Sequence, residues 1–271
     1  MSPTVLKTPS IKISHPATKG FWEIPVLFED AHLLALDKPA DLPVTSDPLR
    51  PELPSLMQLL HAGITAAKPW AAARQLDFLD HVHHLDTETS GVFLLAKTKA
   101  AHAQLTDLFS SENAHHKFLV LAHGTPALEA FTENGKVAPH PVRAGEFHLD
   151  PLRGKQSRTT FTVLEKFQNH TLLHAEPAFA RPHQIRVHLE RAGWPVVADE
   201  LYGGQKLWLS RIKPGFYLKP GRDERPLLAQ PAIHSAEISL THPVTTAPLV
   251  LTAPQPKHFT VALKYLRQYA V

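Results

Sequence analysis

The stretch His81-Val82-His83-His84-Leu85-Asp86-Thr87-Glu88-Thr89-Ser90-Gly91 runs straight into Val92-Phe93-Leu94-Leu95-Ala96. Five apolar residues in a row, bounded by polar ones, read as a strand covered on both faces. Ahead of that strand the Thr89 and Ser90 hydroxyls can bond turn backbone, and Gly91 permits a sharp entry. Asp86 therefore heads a polar turn between a short strand near Val82 and a buried one. An Asx-type turn by itself explains an aspartate in this place, so a chemical role needs support from elsewhere in the chain. The histidines invite a metal reading, because His81 and His83, two apart on a strand, point the same way. The dinuclear hydrolase pattern His-x-His-x-Asp-His requires Asp at 85 and His at 86. Leu85 and Asp86 stand there, so the pattern fails by one register.

Working outward, Val26-Leu27-Phe28 and Leu33-Leu34-Ala35-Leu36 flank a turn and predict a hairpin closed by Lys38-Pro39, since proline ends ladder pairing. Phe118 to Ala122 reads as a second buried strand, ended by Gly124, and Thr159 to Leu164 alternates with period two ahead of Thr171 to Ala175. Ile233 to Leu240 and Leu249 to Thr252 are late strands. Helical spacing marks Ser55 to Ala67, Lys99 to Phe109, Gln184 to Arg191, where Pro182 suits a helix start, and Phe259 to Tyr269. The proline-rich run from Thr125 to Arg153 reads as loop with at most a short strand. Strands outnumber helices and short turns join many of them, which predicts an α+β fold: a mixed, largely antiparallel sheet with flanking helices. Residues 1–22 read as a polar N-terminal arm and 23–271 as one domain.

Composition narrows the function classes. With 43% apolar and 20% charged residues among 271, the chain can bury a core and is too apolar for disorder. The absence of cysteine excludes disulfides, thiolate metal sites and a cysteine nucleophile, and fits a reducing compartment. The apolar runs at Val92–Ala96 and Phe118–Ala122 are the longest, far short of the roughly 20 residues that cross a bilayer. Lys7, Lys12 and Lys19 lie among Pro, Ser and Thr with no apolar region after them, unlike a secretory signal. A cytoplasmic protein without membrane partners is expected, and a monomer. The net charge of +3 is unevenly spread. Lys206, Arg211, Lys213, Lys219, Arg222 and Arg225 crowd one segment, and Arg153, Lys155 and Arg158 another. Taken alone, each reads first as a solvated loop, with the footprint of an anionic partner as the second reading.

Two further blocks carry chemistry. Ala180-Arg181-Pro182-His183-Gln184-Ile185-Arg186 opens a helix that sets His183 and Arg186 near one face; it reads as an amphipathic helix with solvated arginines, or as a guanidinium aimed at a carboxylate. Lys117-Phe118-Leu119-Val120-Leu121-Ala122-His123-Gly124 alone is a core strand. Together with the Asp86 turn, these blocks resemble the RluA-type family of RNA pseudouridine synthases. That family shows His-Arg-Leu-Asp-x-x-Thr-Ser-Gly and later Gly-Arg-x-His-Gln-Ile-Arg; here the segments are 83–91 and 180–186. Weaker matches run in order through Glu29 to Pro39, Lys155 to Phe161, Gly193 to Gly203 and Ile233-His234-Ser235.

The resemblance implies isomerisation of uridine to pseudouridine in rRNA or tRNA without cofactor or metal. It implies Asp86 as the essential carboxylate, Arg186 as its cationic partner and Phe118 as a stacking wall, with His84, Arg181, His183, Gln184 and Lys155 on the RNA. Two departures stand out. His84 replaces an arginine linked in the family to holding the flipped nucleotide's place, and Phe118 replaces a tyrosine, keeping the ring but losing its hydroxyl. Ala180 for glycine is a smaller change, and no S4-type RNA-binding module is recognisable. Two alternatives remain: an RNA-binding protein of this fold with impaired catalysis, and a histidine-rich metal hydrolase.

Overall fold

The computed structural model describes residues 9–178 and 180–271. In chain order it contains β1 (Ser10–His15), β2 (Gly20–Glu29), β3 (Leu33–Lys38), α1 (Leu56–Thr65), α2 (Pro69–Ala72), β4 (Asp80–His81), β5 (Ser90–Ala96), α3 (Lys99–Ser110), β6 (His115–His123), β7 (Ala130–Pro139), β8 (Phe147–Leu149), β9 (Lys155–Lys166) and β10 (His170–Pro177). Then come α4 (Gln184–Arg191), a 3-10 turn at Glu200–Tyr202, α5 (Leu209–Ile212), β11 (Ile233–Thr241), β12 (Pro248–Thr252) and α6 (Lys257–Tyr269). One sheet runs β1-β2-β3-β5-β11-β6-β10-β9-β7-β8, with β12 on β11 and β4 on β5. Its pairings are antiparallel apart from β5 with β11, which is parallel at His234↔Ser90 and Ser235↔Gly91. This is the expected α+β class.

The period-two alternation of the strands divides the core. Leu34 and Leu36 of β3 and Phe93 and Leu95 of β5 join the larger cluster with Leu56 and Leu60 of α1 and Leu263 and Leu266 of α6. Leu33, Ala35, Val92 and Leu94 face the other way, onto Ala101 and Leu105 of α3. Full burial stabilises each such leucine by about 1.5–3 kcal/mol, so covering both faces pins the register of β3 and β5. Ser55 caps α1: its hydroxyl accepts the Gln58 N–H at 3.3 Å while its own N–H donates to Gln58 Oε1 at 3.1 Å.

Two local readings are corrected. The expected arm forms a hairpin from Ser10 onward, because Ile11 and Ile13 alternate with Lys12 and Ser14 and become buried; its first eight residues lie outside the described ones. The proline-rich run holds the ten-residue strand β7, whose solvated edge face and Gly135 dilute the apolar signal that marks inner strands. Helix α4 runs from Gln184 to Arg191 as its spacing predicts, and His183 before it stands in the left-handed region at φ 55°.

The sheet sets the site by register. Ser235 of β11 lies opposite Gly91 on one side and Phe118 on the other, so the Asp86 turn and the β6 wall meet at one level. Gly91 has φ 110°, and a Cβ there would press on the Ser235 carbonyl. Gly91→Ala should therefore destabilise the protein by about 2–5 kcal/mol, from left-handed strain plus overpacking at the β5–β11 seam. A urea midpoint unchanged from wild type would show the contact to be relaxed in solution.

Candidate active site

The turn before β5 is held from below by a buried cation. Lys38 Nζ, at the end of β3, donates to the carbonyls of Pro39 (2.9 Å), Thr87 (3.2 Å) and Thr89 (2.8 Å). Lys38 is 0% exposed, and burial pushes its pKa down to about 7, opposed by the charges of Glu88, Asp86 and Asp41. The turn closes on itself through the Thr89 N–H, which donates to the Asp86 carbonyl at 3.0 Å, and Ser90 Oγ bonds His234 Nδ1 at 2.9 Å.

Asp86 points from this turn toward α4. Its Oδ1 accepts the His183 N–H at 3.4 Å, and its Oδ2 lies 3.6 Å from Arg186 Nη1. The resemblance paired Arg186 with Asp86, which meets only Nη1; another carboxylate takes the guanidinium fork. It is Asp199: Arg186 Nε and Nη2 donate to its two oxygens at 2.7 and 2.8 Å, both side chains being nearly sealed. That leaves Nη1 free of hydrogen bonds among the described residues, facing Asp86 on one side and Glu88 Oε2, at 3.5 Å, on the other. The Tyr202 ring packs against the guanidinium 5.0 Å from its centroid. Its hydroxyl accepts the Phe147 N–H at 2.9 Å and is hydrogen-bonded to His183 Nδ1 at 2.8 Å. The guanidinium is thus fixed on three sides before it meets Asp86.

Burial pushes the Asp86 carboxyl up, but the charges of His183 and Arg186, the His183 N–H and the charge of His84 outweigh it and hold the pKa below the ordinary value. His183 is itself held low by burial, so Arg186 is the permanent cation at neutral pH. The Asp86 side chain remains 17% exposed, at the floor of a cleft lined by His84, His116, Phe118, Arg181, Gln184 and Ile233 among others.

Most residues singled out from the sequence converge here, and some do not. Phe118 stands in the cleft wall beside His116, ring centroids 4.1 Å apart. Arg181 lines the cleft with Nε donating to the Gln156 carbonyl at 3.1 Å. Gln184 is buried and engaged structurally, donating to the Arg158 carbonyl (3.0 Å) and Thr159 Oγ1 (2.9 Å). Lys155 is exposed at the start of β9, outside the residues that line the cleft, and Arg158 pairs with Glu112 at 2.9 Å. The basic segment borders a separate groove lined by Phe216, Arg222 and Arg225. Among the described residues no group of three or more His, Asp or Glu side chains is placed to hold a metal ion, and no helix is long and apolar enough to cross a membrane. Sequence reasoning missed Lys38, Glu88, Asp199 and Tyr202 as parts of the site. All four lie in quoted segments, but spacing does not say which carboxylate a guanidinium will grip.

The family model for RNA pseudouridylate synthase matches residues 32–191, from β3 through α4. The chain belongs to the RNA pseudouridylate synthase family. Its activity is the isomerisation of uridine in RNA to pseudouridine. The synthase is 32% identical over 260 residues to ribosomal large subunit pseudouridine synthase C of Vibrio cholerae, covering 96% of this chain and 74% of that one. It is 30% identical over 245 residues to an RNA pseudouridine synthase of Synechocystis, covering 90% and 69%. Among solved structures, human RNA pseudouridylate synthase domain-containing protein 4 shares the fold with a TM-score of 0.68 at 23% identity, covering 89% of this synthase and 92% of that chain.

Proposed function

We propose that Asp86 is the catalytic carboxylate of this synthase and that its substrate is a loop uridine of large-subunit ribosomal RNA, modified by a monomeric cytoplasmic enzyme. The observation that carries the reading is the charged Asp86 at the floor of an open cleft, facing a guanidinium that Asp199 and Tyr202 hold rigid. A carboxylate so held is a nucleophile or base with a fixed rotamer. The target base has to leave its stack to reach it, which costs a few kcal/mol and less in a loop than in a duplex. Phe118 offers the extruded base an aromatic face, and Arg181 at the cleft and the exposed Lys155 on β9 would take phosphates. His84, exposed at the cleft, takes the place from which a longer arginine would hold the gap in the RNA. Ribosomal RNA is favoured over tRNA by the names of the relatives in Vibrio cholerae and Xylella fastidiosa.

The test is to incubate the purified protein with unmodified large-subunit rRNA, small-subunit rRNA and tRNA, and to map pseudouridine in each. New pseudouridine at one or a few loop positions of the large-subunit RNA is expected. Modification confined to tRNA would overturn the substrate, and binding without isomerisation on every RNA would favour a catalytically impaired binder.

A further inference from the structure

His116 belongs to none of the motifs, yet it is the one imidazole in the cleft wall whose tautomer the surroundings fix. It stands two residues before Phe118 on β6, so both rings leave the same face of the strand, and both line the Asp86 cleft. Its Nε2 lies 2.6 Å from Ser235 Oγ. That hydroxyl has a single proton, and it donates to the Val92 carbonyl at 2.9 Å. Ser235 Oγ can therefore only accept from the ring, so Nε2 carries the hydrogen and Nδ1 carries a bare lone pair. Nδ1 has no hydrogen-bond partner among the described residues. Burial pushes the pKa of His116 down to about 3, so the ring is neutral at working pH with its Nδ1 lone pair unprotonated, a weak base that can take a proton only from a C–H already made acidic.

Resting on the reading of this cleft as the site of uridine isomerisation, we propose that His116 Nδ1 is the base that removes the C5 proton of the uracil. The reaction needs such a group. The C1′–N1 bond breaks with its electron pair left on the uracil ring, and after the ring turns, a ring pair at C5 forms the C1′–C5 bond. C5 then carries both the sugar and its original hydrogen. Passing that proton to Nδ1 returns the C–H pair to the ring, and N1 takes up one proton, so atoms and electrons balance with no oxidant or reductant. Phe118, beside the imidazole, has no proton-accepting atom of its own. As the proton arrives, the positive ring is supported through Nε2–H to Ser235 and on to the Val92 carbonyl. Ser235 is thus a positioning residue for His116.

The experiment uses large-subunit rRNA labelled at uracil C5 with tritium, or with deuterium, and follows single-turnover proton release. His116→Phe keeps the ring and removes both nitrogens; His116→Gln keeps a donor to Ser235 and removes the basic lone pair, and stands in if the first variant fails to fold. We expect release slowed on the order of 10²-fold or more, the range of general-base effects, with RNA retention on filters unchanged. The C5 deuterium isotope effect should grow, because proton removal becomes the slow step. Adding Phe118→Tyr to His116→Phe should recover part of the rate by placing a hydroxyl in the same wall. A wild-type rate in both variants overturns the proposal. So does a slowed rate with no larger isotope effect, or one explained by lost RNA retention, either of which assigns His116 to packing. Asp86→Asn, run in parallel, separates the two readings: tritium release at the wild-type rate in that variant sinks the role of Asp86 and not that of His116.

Discussion

Asp86→Asn should abolish pseudouridine formation while leaving the protein folded. The amide has the shape of the carboxylate, and its oxygen can still accept the His183 N–H that now lies at 3.4 Å. Arg186 loses one neighbour but keeps both bonds of its fork to Asp199, so no buried charge is stranded. The folded state should therefore change by no more than about 1 kcal/mol, the size of one ordinary hydrogen bond. The chemistry has no such reserve. An amide neither attacks C1′ nor takes a proton, and loss of a group on which the reaction centres commonly lowers turnover by about 10⁴-fold or more. Mapping of pseudouridine and a urea unfolding curve on the same preparation check the two halves. Residual activity within about tenfold of wild type would remove Asp86 from the mechanism, and collapse of the unfolding midpoint would make it a structural residue. The pH dependence has a definite sign. Because the carboxyl pKa is held below its ordinary value, the charged form survives mild acidification, and the share of activity due to Asp86 is lost only as pH falls through that depressed pKa.

The site was partly legible because its turn chemistry is local. Thr89, Ser90 and Gly91 announce the entry into β5 by residue type alone, and the unbroken Val92–Ala96 run announces a strand buried on both faces. What stayed hidden depends on distances between segments far apart in the chain. Asp199 follows Arg186 by 13 residues across a helix end and a turn, and no periodicity joins them. Lys38 read as the close of a hairpin, and only the tertiary fold shows its ammonium beneath the Thr87 and Thr89 carbonyls. Strand β7 escaped because alternation on a solvated edge, broken by Gly135, resembles loop composition. His116 looked like one histidine among 19 until the Ser235 hydroxyl gave its tautomer.

The electrostatics of the cleft explain why it takes a guanidinium rather than an ammonium. Three carboxylates, Asp86, Glu88 and Asp199, converge on one cation: Asp199 takes Nε and Nη2, while Asp86 and Glu88 flank Nη1. An ammonium has no planar fork, so it cannot hold both Asp199 oxygens and still present charge to Asp86 at a set distance. Arg186→Lys should therefore fold but lose on the order of 10²-fold in turnover, the scale of an ångström-sized misplacement. Arg186→Met is more severe. It leaves Asp199, 1% exposed, as an uncompensated buried charge, and breaking such a pair costs about 3–5 kcal/mol. Adding Asp199→Asn to Arg186→Met removes the stranded charge and should recover much of the stability. It should recover none of the activity, because Asp86 still lacks its cation. Denaturation midpoints and pseudouridine yields for the three variants decide the matter. If the double variant regained activity along with stability, Arg186 would act only by supporting the fold, and the charge of Asp86 would need another source.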